Sequence, residues 1–229
     1  GHEAGYGITT GNSNISIGYG AHRNGAEGGR LGATGERNIA IGFAAMYAGA
    51  DGSENVGVGS YSLNNVLNGL SNVAFGQYSG FSITDGYYNI AIGAYSMYDA
   101  TTALNNVIVG SFASQNMTTA AYNVVMGHDA ALSQTTGSSN TLLGYSVAGG
   151  LTEGGSNVVV GTLAGSKIVG GSGNVIIGSS AGPSTNVSDK LYIDNQESDS
   201  PLIYGDFAND VLTLNGGVTI AADKVNIAD

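Results

Sequence analysis

Apolar and polar residues alternate in short units along most of the chain. Each unit begins with Asn, ends with Gly four residues later, and is aliphatic at its second and fourth positions, as in Asn38-Ile-Ala-Ile-Gly42. This alternation predicts a short β-strand. From Asn38 the units recur every 17 residues, and one further unit starts 24 residues earlier, at Asn14. The asparagines are Asn14, Asn38, Asn55, Asn72, Asn89, Asn106, Asn123, Asn140, Asn157 and Asn174.

A fixed short period predicts that each repeat is one rung of a solenoid. We therefore expect an all-β fold, a parallel β-roll of about ten 17-residue rungs spanning 1–186. Seven residues after the Asn, the side chain is small in nearly every rung, for example Ala45 and Ser62. Small residues at a fixed place indicate close backbone approach across a thin roll. We predict two short strands per rung, joined by two turns, with the Asn column forming a ladder of stacked amides.

The middle strand residue changes character along the chain. It is small in the first five rungs, from Ser16 to Ala91, and aliphatic in the last five. Taking the flanking pairs such as Ile39 and Ile41 as the inward side chains, alternation places the middle residue on the outside. An outward aliphatic stripe should not remain in water. We therefore predict that it forms a subunit interface. Its residues are Ile108, Val125, Leu142, Val159 and Ile176.

The composition of the 229 residues excludes several classes of protein. Charged residues make up 10% and prolines number two, which argues against disorder. The net charge of −11 is opposite to that of nucleic-acid-binding surfaces. Cysteine is absent, and no apolar run reaches the ~18 residues of a membrane span. Because no signal peptide is visible and residue 1 is not Met, we expect a fragment or a processed product.

The units Asn72-Val-Ala-Phe-Gly-Gln-Tyr-Ser79 and Asn89-Ile-Ala-Ile-Gly-Ala-Tyr-Ser96 resemble the head repeats of YadA-like trimeric autotransporter adhesins. Similar repeats occur in phage tail fibres. The resemblance covers residues 12–182 and implies a left-handed β-roll, three chains around one axis, and a role in adhesion. The rung of 17 residues departs from the family pattern, whose usual length is roughly 14.

The last segment, 187–229, loses the period. It reads as several short strands, within Asp189–Asp194, Pro201–Phe207 and Val211–Gly216. These could cap the last rung and close the trimer, since an open solenoid end is an unpaired sheet edge. The segment also resembles the one that often precedes a self-cleaving chaperone in phage tail fibres. That resemblance implies a processing point near Asp229.

Candidate chemistry is sparse. His2, His22 and His128 have no partners at metal-ligand spacing, so we predict no metal or cofactor. Asp51 and Asp85 share a column two rungs apart, roughly 10 Å. That separation is near the upper limit for an inverting glycosidase, which keeps a polysaccharide depolymerase as an alternative. A threonine column from Thr84 to Thr152 lacks the regular second column that an ice-binding face needs.

The better candidates for a binding site are tyrosines in turns and the arginines near the 24–37 insertion. Tyrosine offers a flat ring and a hydroxyl for sugar or protein contact. A loop rich in arginine within an acidic fibre could bind an anionic glycan, or pair with acids of a neighbouring subunit. The predicted receptor contacts are Tyr47, Tyr87, Tyr88, Tyr98, Tyr122, Arg23, Arg30 and Arg37.

The sequence therefore favours a non-enzymatic, extracellular, homotrimeric fibre that binds a cell-surface glycan or protein, the distal part of a phage tail fibre. The first alternative is the head of a bacterial trimeric adhesin at the cell surface. The others are the depolymerase and a purely structural spacer.

Overall fold

The computed structural model describes residues 1–23, 34–49 and 51–218, and within them the chain is all-β. Thirteen strands form one sheet in strict chain order. The predicted parallel β-solenoid is confirmed, with one strand in each repeat. The strands are β1 (Ile15–Ile17), β2 (Ile39–Ile41), β3 (Val56–Val58), β4 (Val73–Phe75), β5 (Ile90–Ile92), β6 (Val107–Val109), β7 (Val124–Met126), β8 (Thr141–Leu143), β9 (Val158–Val160), β10 (Val175–Ile177), β11 (Lys190–Ile193), β12 (Ile203–Asp206) and β13 (Val211–Leu214).

The stack is held in register by the repeat itself. β2 pairs with β3 so that Ile39 lies beside Val56, and the later rungs repeat this pairing 17 residues apart. Each strand starts one residue after its Asn and ends one residue before its Gly. The five-residue unit therefore places every strand of the roll.

The asparagine ladder is confirmed. The amide nitrogen Nδ2 of Asn89 donates to Oδ1 of Asn72 at 2.9 Å, and also to the carbonyl of Ala103 at 2.7 Å. Oδ1 of Asn89 in turn accepts from the backbone N–H of Asn106 at 3.2 Å. Each amide thus links neighbouring rungs and satisfies buried backbone groups that would otherwise lack partners.

The glycine that ends each strand has a conformation that other residues cannot adopt. Gly76 has a φ of +136°, and a Cβ placed on it would lie 2.6 Å from the carbonyl oxygen of Gly93 in the next rung. Both the backbone angle and the close stacking of rungs therefore require glycine here.

The assignment of inward and outward strand residues was wrong. The middle residue of each rung points into the roll, and the flanking residues point out. Ile92, Val124 and Met126, all flanking residues, are exposed. The predicted interface residues are fully buried within their own chain, so they cannot contact another subunit. These residues are Ile108, Val125, Leu142, Val159 and Ile176.

The size change along the middle column reflects packing inside the roll. The middle residue is matched by the residue six positions later, which faces it across the core. In the early rungs the middle residue is small and the residue six positions later is large. In the later rungs the middle residue is the larger of the two. The pairs are Ala40 with Met46, Gly57 with Leu63, Ala91 with Met97, Ile108 with Ser114, Val125 with Ala131, Leu142 with Ala148, Val159 with Gly165 and Ile176 with Gly182. The rung of Asn72 is the exception, because Ala74 and Gly80 are both small and the side chains of Leu63 and Ile83 fill the space beside Gly80. In the other rungs, the exchange of sizes fills the core as close packing requires.

The rung closes differently from the prediction. In the described residues, each rung has one strand, and the predicted second strand is reduced to turns with isolated parallel bridges linking Leu70, Tyr87, Leu104 and Ala121. Hydrogen bonds still join successive rungs there. Thr101 Oγ1, for example, donates to the carbonyl of Thr118 at 3.3 Å. The threonine column therefore stabilises the stack.

The C-terminal segment extends the sheet. β11 continues the parallel stack on β10, and β12 and β13 then add as antiparallel strands. Nζ of Lys190 lies 3.0 Å from a carboxylate oxygen of Asp206 across β11 and β12. In the described part of the chain no helix is long and apolar enough to cross a membrane.

Candidate functional site: an aromatic ladder and exposed tyrosines

A continuous ladder of rings runs along the roll. Successive ring centroids lie 4.9 to 5.9 Å apart, close to the spacing of the rungs. The sequence reasoning identified only the four central members of this ladder, Tyr61, Tyr78, Tyr95 and Phe112. The full ladder, from the N-terminal end, is His2, Tyr19, Phe43, Tyr61, Tyr78, Tyr95, Phe112, His128 and Tyr145.

The ladder changes register twice. At both ends the ring lies five residues after the Asn, and in the centre six residues after it. The rings are T-shaped at both changes, with interplanar angles of 65° between Phe43 and Tyr61 and 64° between Phe112 and His128. Elsewhere neighbouring ladder rings are stacked. Comparing the fifth and sixth columns together would have revealed this in the sequence.

A second, shorter column packs on the centre of the ladder. Phe81 and Tyr98 stack on each other at 5.0 Å, and both rings contact Tyr78. Burial among these rings, with smaller effects from Tyr61 and Tyr95, raises the pKa of Tyr78. Tyr98, one of the predicted receptor contacts, is therefore partly buried in a packed cluster.

Tyr47 and Arg23 contact each other at the N-terminal end. The guanidinium of Arg23 donates to the hydroxyl of Tyr47, and its central carbon lies 5.3 Å from the Tyr47 ring centroid. Nε of Arg23 also lies 3.1 Å from a carboxylate oxygen of Glu3. The charge of this arginine is thus already matched by a carboxylate of its own chain.

Arg37, like Arg23, is paired with acids of its own chain. Arg37 pairs with Glu36 at 3.0 Å and with Glu54 at 2.9 Å. The hydrogen bonds from Arg37 and Ser71 hold the pKa of Glu54 below its usual value. Arg30 lies outside the described residues. The two described arginines therefore have intrachain acidic partners, which weakens the case for an anion-binding loop.

Three turn tyrosines are well exposed. Tyr87 and Tyr88 pack edge to face at 5.7 Å, and Tyr88 and Tyr122 occupy the same column, two rungs apart. The exposed fraction is 58% for Tyr88 and 63% for Tyr122. Their backbones are left-handed, with φ of +59° and +60°. Other rungs place Ser139 or Ser156 in this position.

The outward face of the strands is aliphatic. In β1–β10 every flanking position is apolar except Thr141. Ten rungs at ~4.8 Å make this face about 48 Å long. Members such as Ile17, Met126 and Ile177 are exposed in the single chain.

The candidate acids and histidines lie in separate surroundings. Asp51 accepts a hydrogen bond from Thr34 Oγ1 at 2.8 Å, and Asp85 accepts one from Asn68 at 2.6 Å, so each is bound to the rung before it. His128 lies at the surface beside Asp129. Burial lowers the pKa of His22, which is inside the first rung. The residues that the structure describes contain no group of three or more His, Cys, Asp or Glu that could hold a metal ion.

Comparison with protein-family models, with curated proteins and with solved structures finds no match to this chain.

Proposed function

We propose that this chain is a non-enzymatic receptor-binding protein that works as an extracellular homotrimeric fibre, the distal part of a phage tail fibre. Its ligand is a cell-surface glycan or protein. The resemblance of the repeats to those of trimeric adhesins and phage fibres supports the assembly and the role. The rigid stack of rungs supports them physically, because it can hold side chains at fixed spacing.

The observation that carries this proposal is the pair of exposed tyrosines, Tyr88 and Tyr122. Other rungs serve the same turn with Ser71, Ser139 or Ser156 and with the longer Arg37 and Glu54, all at positive φ, so the turn itself does not require tyrosine. The rings also gain little from burial, since more than half of each is exposed. Stability therefore does not explain these tyrosines. Contact with a ligand does, because an exposed tyrosine offers a ring face and a hydroxyl.

The aliphatic strand face supports the homotrimer. An apolar surface running the length of ten rungs exceeds what soluble monomers usually leave in water. Another copy of the same chain can cover this surface, because its own apolar residues repeat at the same rung spacing. The exposed residues Leu212 and Leu214 of β13 continue this face in the register of β10–β13 and would be covered by the same contacts. We therefore assign the proposed subunit interface to the flanking residues, in place of the buried middle column that the sequence had suggested.

Three copies of a weak site on a rigid body would bind a cell by avidity. Simultaneous engagement of two or three sites raises the effective affinity by orders of magnitude without new contacts. The predicted mechanism needs no chemical step and no cofactor.

Cell staining tests the function. The labelled protein is applied to a panel of bacterial strains and to animal cells and matrix. Strain-specific staining of bacteria is expected, and the double variant Tyr88→Ser with Tyr122→Ser should lose it. Tyr145→Ser, at an exposed ladder ring, is the matched control and should still stain. Staining of animal cells or matrix would instead favour the bacterial adhesin head, and no staining anywhere would favour the spacer.

Light scattering tests the assembly. A homotrimer has three times the chain mass of 22.9 kDa. The double variant Val124→Lys with Met126→Lys places charges on the aliphatic face and should dissociate the assembly. Thr119→Lys, on an exposed turn, should leave the mass unchanged. A monomeric mass for the unmodified protein would refute the proposed trimer.

Release of reducing ends from capsular polysaccharide, abolished by Asp51→Asn or Asp85→Asn, would establish the depolymerase instead.

A further inference from the structure

A cleft opens beside the ladder at its first change of register. It is lined by Tyr19, Phe43, Ala44, Tyr47, Tyr61 and Asn64, with a volume of about 330 Å³. This lies at the lower end of the roughly 300–1,000 Å³ of small-ligand sites. Its walls are mostly aromatic, with polar atoms at only a few points. Such a composition is typical of a site for a small ligand with an apolar face and a polar rim.

The cleft exists because one side chain of the repeat is missing. Nine residues after the Asn, the rungs of Asn72 and Asn89 carry Phe81 and Tyr98, whose rings pack against the ladder. The preceding rung carries Asn64 at this position, so Tyr61 has no such ring from its own rung, and only the edge-on Phe81 of the next rung lies beside it, at 6.5 Å. Asn64 is itself largely buried, and its Nδ2 donates to the carbonyl of Ala44 at 2.8 Å.

The geometry points to a saccharide site, and we propose that this cleft binds a neutral pyranose ring. The inference rests on the proposed function and names part of its ligand. Tyr19 and Phe43 are both about half exposed, and Phe43 meets Tyr61 at 65° instead of stacking on it, so no parallel ring of Tyr61 covers the Phe43 ring beside the cleft. A pyranose has a face of C–H groups that packs on such a ring. Its hydroxyls would meet the phenol groups of Tyr19, Tyr47 and Tyr61 and the amide of Asn64.

The charges around the cleft favour a neutral ligand. Arg23 already lies against the Tyr47 ring as a cation, so a second cation in the same cleft would be repelled. The carboxylate of Glu3 lies beside Arg23, and the chain carries a net charge of −11. An anionic sugar would therefore gain little from this arginine.

Saturation-transfer NMR on the intact chain tests the site. The probes are the methyl glycosides of glucose, galactose, mannose and N-acetylglucosamine. We expect transfer to the ring protons of at least one of them. Asn64→Phe should weaken that binding about tenfold or more, because it repeats the packing seen at Phe81 and fills the cleft. Asn116→Phe, the same exchange at an exposed turn position, should bind like the unmodified chain.

A second variant separates binding from folding. Phe43→Leu keeps an apolar side chain but removes the flat ring face, and it should also lose the signal. Circular dichroism melts of both variants establish that they fold. If either folded variant binds the glycoside as well as the unmodified chain does, the cleft is not the site. Binding of tetramethylammonium or of N-acetyltyrosine amide in place of every glycoside would overturn the proposal, as would no binding of any probe.

The outcomes also separate this inference from the proposed function. Cells stained equally by the Asn64→Phe variant, together with no glycoside binding, would refute the saccharide site and leave the receptor-binding fibre standing. Glycoside binding that Asn64→Phe abolishes, together with no staining of any cell, would support the cleft and count against the fibre.

Discussion

The substitution Asn106→Ala removes one amide from the middle of the asparagine ladder. Its side chain takes part in five hydrogen bonds. Nδ2 donates to Oδ1 of Asn89 at 3.0 Å, to the Leu104 carbonyl at 3.1 Å and to the Ala120 carbonyl at 2.8 Å. Oδ1 accepts from the backbone N–H and from the side-chain Nδ2 of Asn123, both at 3.0 Å. Four of the five are buried inside the roll, where water cannot replace them, and the bond to Leu104 is partly buried.

The expected loss follows from which groups remain unpaired. The backbone N–H of Asn123 loses its acceptor, and an orphaned buried donor costs about 1–3 kcal/mol. The other groups keep second partners. Leu104, for example, still accepts from Tyr122 N at 3.2 Å, so each of these lost bonds costs nearer 0.5–1 kcal/mol. We expect Asn106→Ala to lower the free energy of unfolding by about 3–7 kcal/mol, a large fraction of ordinary domain stability.

Urea unfolding followed by circular dichroism, at one fixed protein concentration, measures this loss. The concentration is fixed because assembly contributes to apparent stability. Asn116→Ala on the same rung is exposed and should change the free energy by no more than about 0.5 kcal/mol. A loss below about 1 kcal/mol for Asn106→Ala would refute the reasoning, since it would mean that the buried amide column is not a net source of stability.

Two further substitutions test the rung corner and the buried histidine. Gly76→Ala should cost about 3 kcal/mol or more, because alanine cannot adopt a φ of +136° and its Cβ would clash with Gly93. His22→Met should remove a pH dependence of thermal stability. Burial lowers the pKa of His22, so the unfolded chain binds the proton more tightly, and stability falls as the pH drops below about 6.5. Met46 occupies the equivalent position in the next rung.

Each of these two has an internal comparison. Gly149→Ala is the control for the glycine, because the nearest atom to its added Cβ is 3.5 Å away and its φ is not positive. Equal stability of the two glycine variants would contradict the steric account. For the histidine, the melting temperatures of the His22→Met variant between pH 5 and 8 are compared with those of the unmodified chain. Both proteins have the same carboxylates, so a difference in pH dependence comes from His22. Parallel curves would show that His22 does not titrate on unfolding.

The period and the strands could be read from the sequence because they are local. An Asn and a Gly four residues apart mark the two ends of each strand, so β2 and β10 begin and end where the pattern places them. The asparagine ladder followed from stacking identical residues in a parallel register. The three C-terminal strands were also foreseen, since their apolar runs are separated by turn residues. None of these predictions depends on which residues face each other across the core.

The direction of the side chains was decided by tertiary structure. Alternation shows that Ile39 and Ile41 share one face, but both faces of the strand are apolar, so the pattern alone does not say which face is the core. The return path of the rung decides it, because that path encloses Ala40 and brings Met46 against the same side. The reversal of sizes from Ala40 with Met46 to Ile108 with Ser114 was present in the sequence and could have identified the inner column.

The residues of the candidate site also divide into those that the sequence indicated and those that only the structure revealed. The sequence alone marked Tyr88 and Tyr122 as turn residues, and the structure leaves their rings exposed. It could not foresee that Arg23 would pair with Glu3, because that contact depends on how the first residues fold back onto the roll. Nor could it foresee the cleft beside Tyr61, which forms where stacked columns place a small side chain among large ones. A repeat in the sequence determines what is stacked, and only the closed rung determines what each stacked column faces.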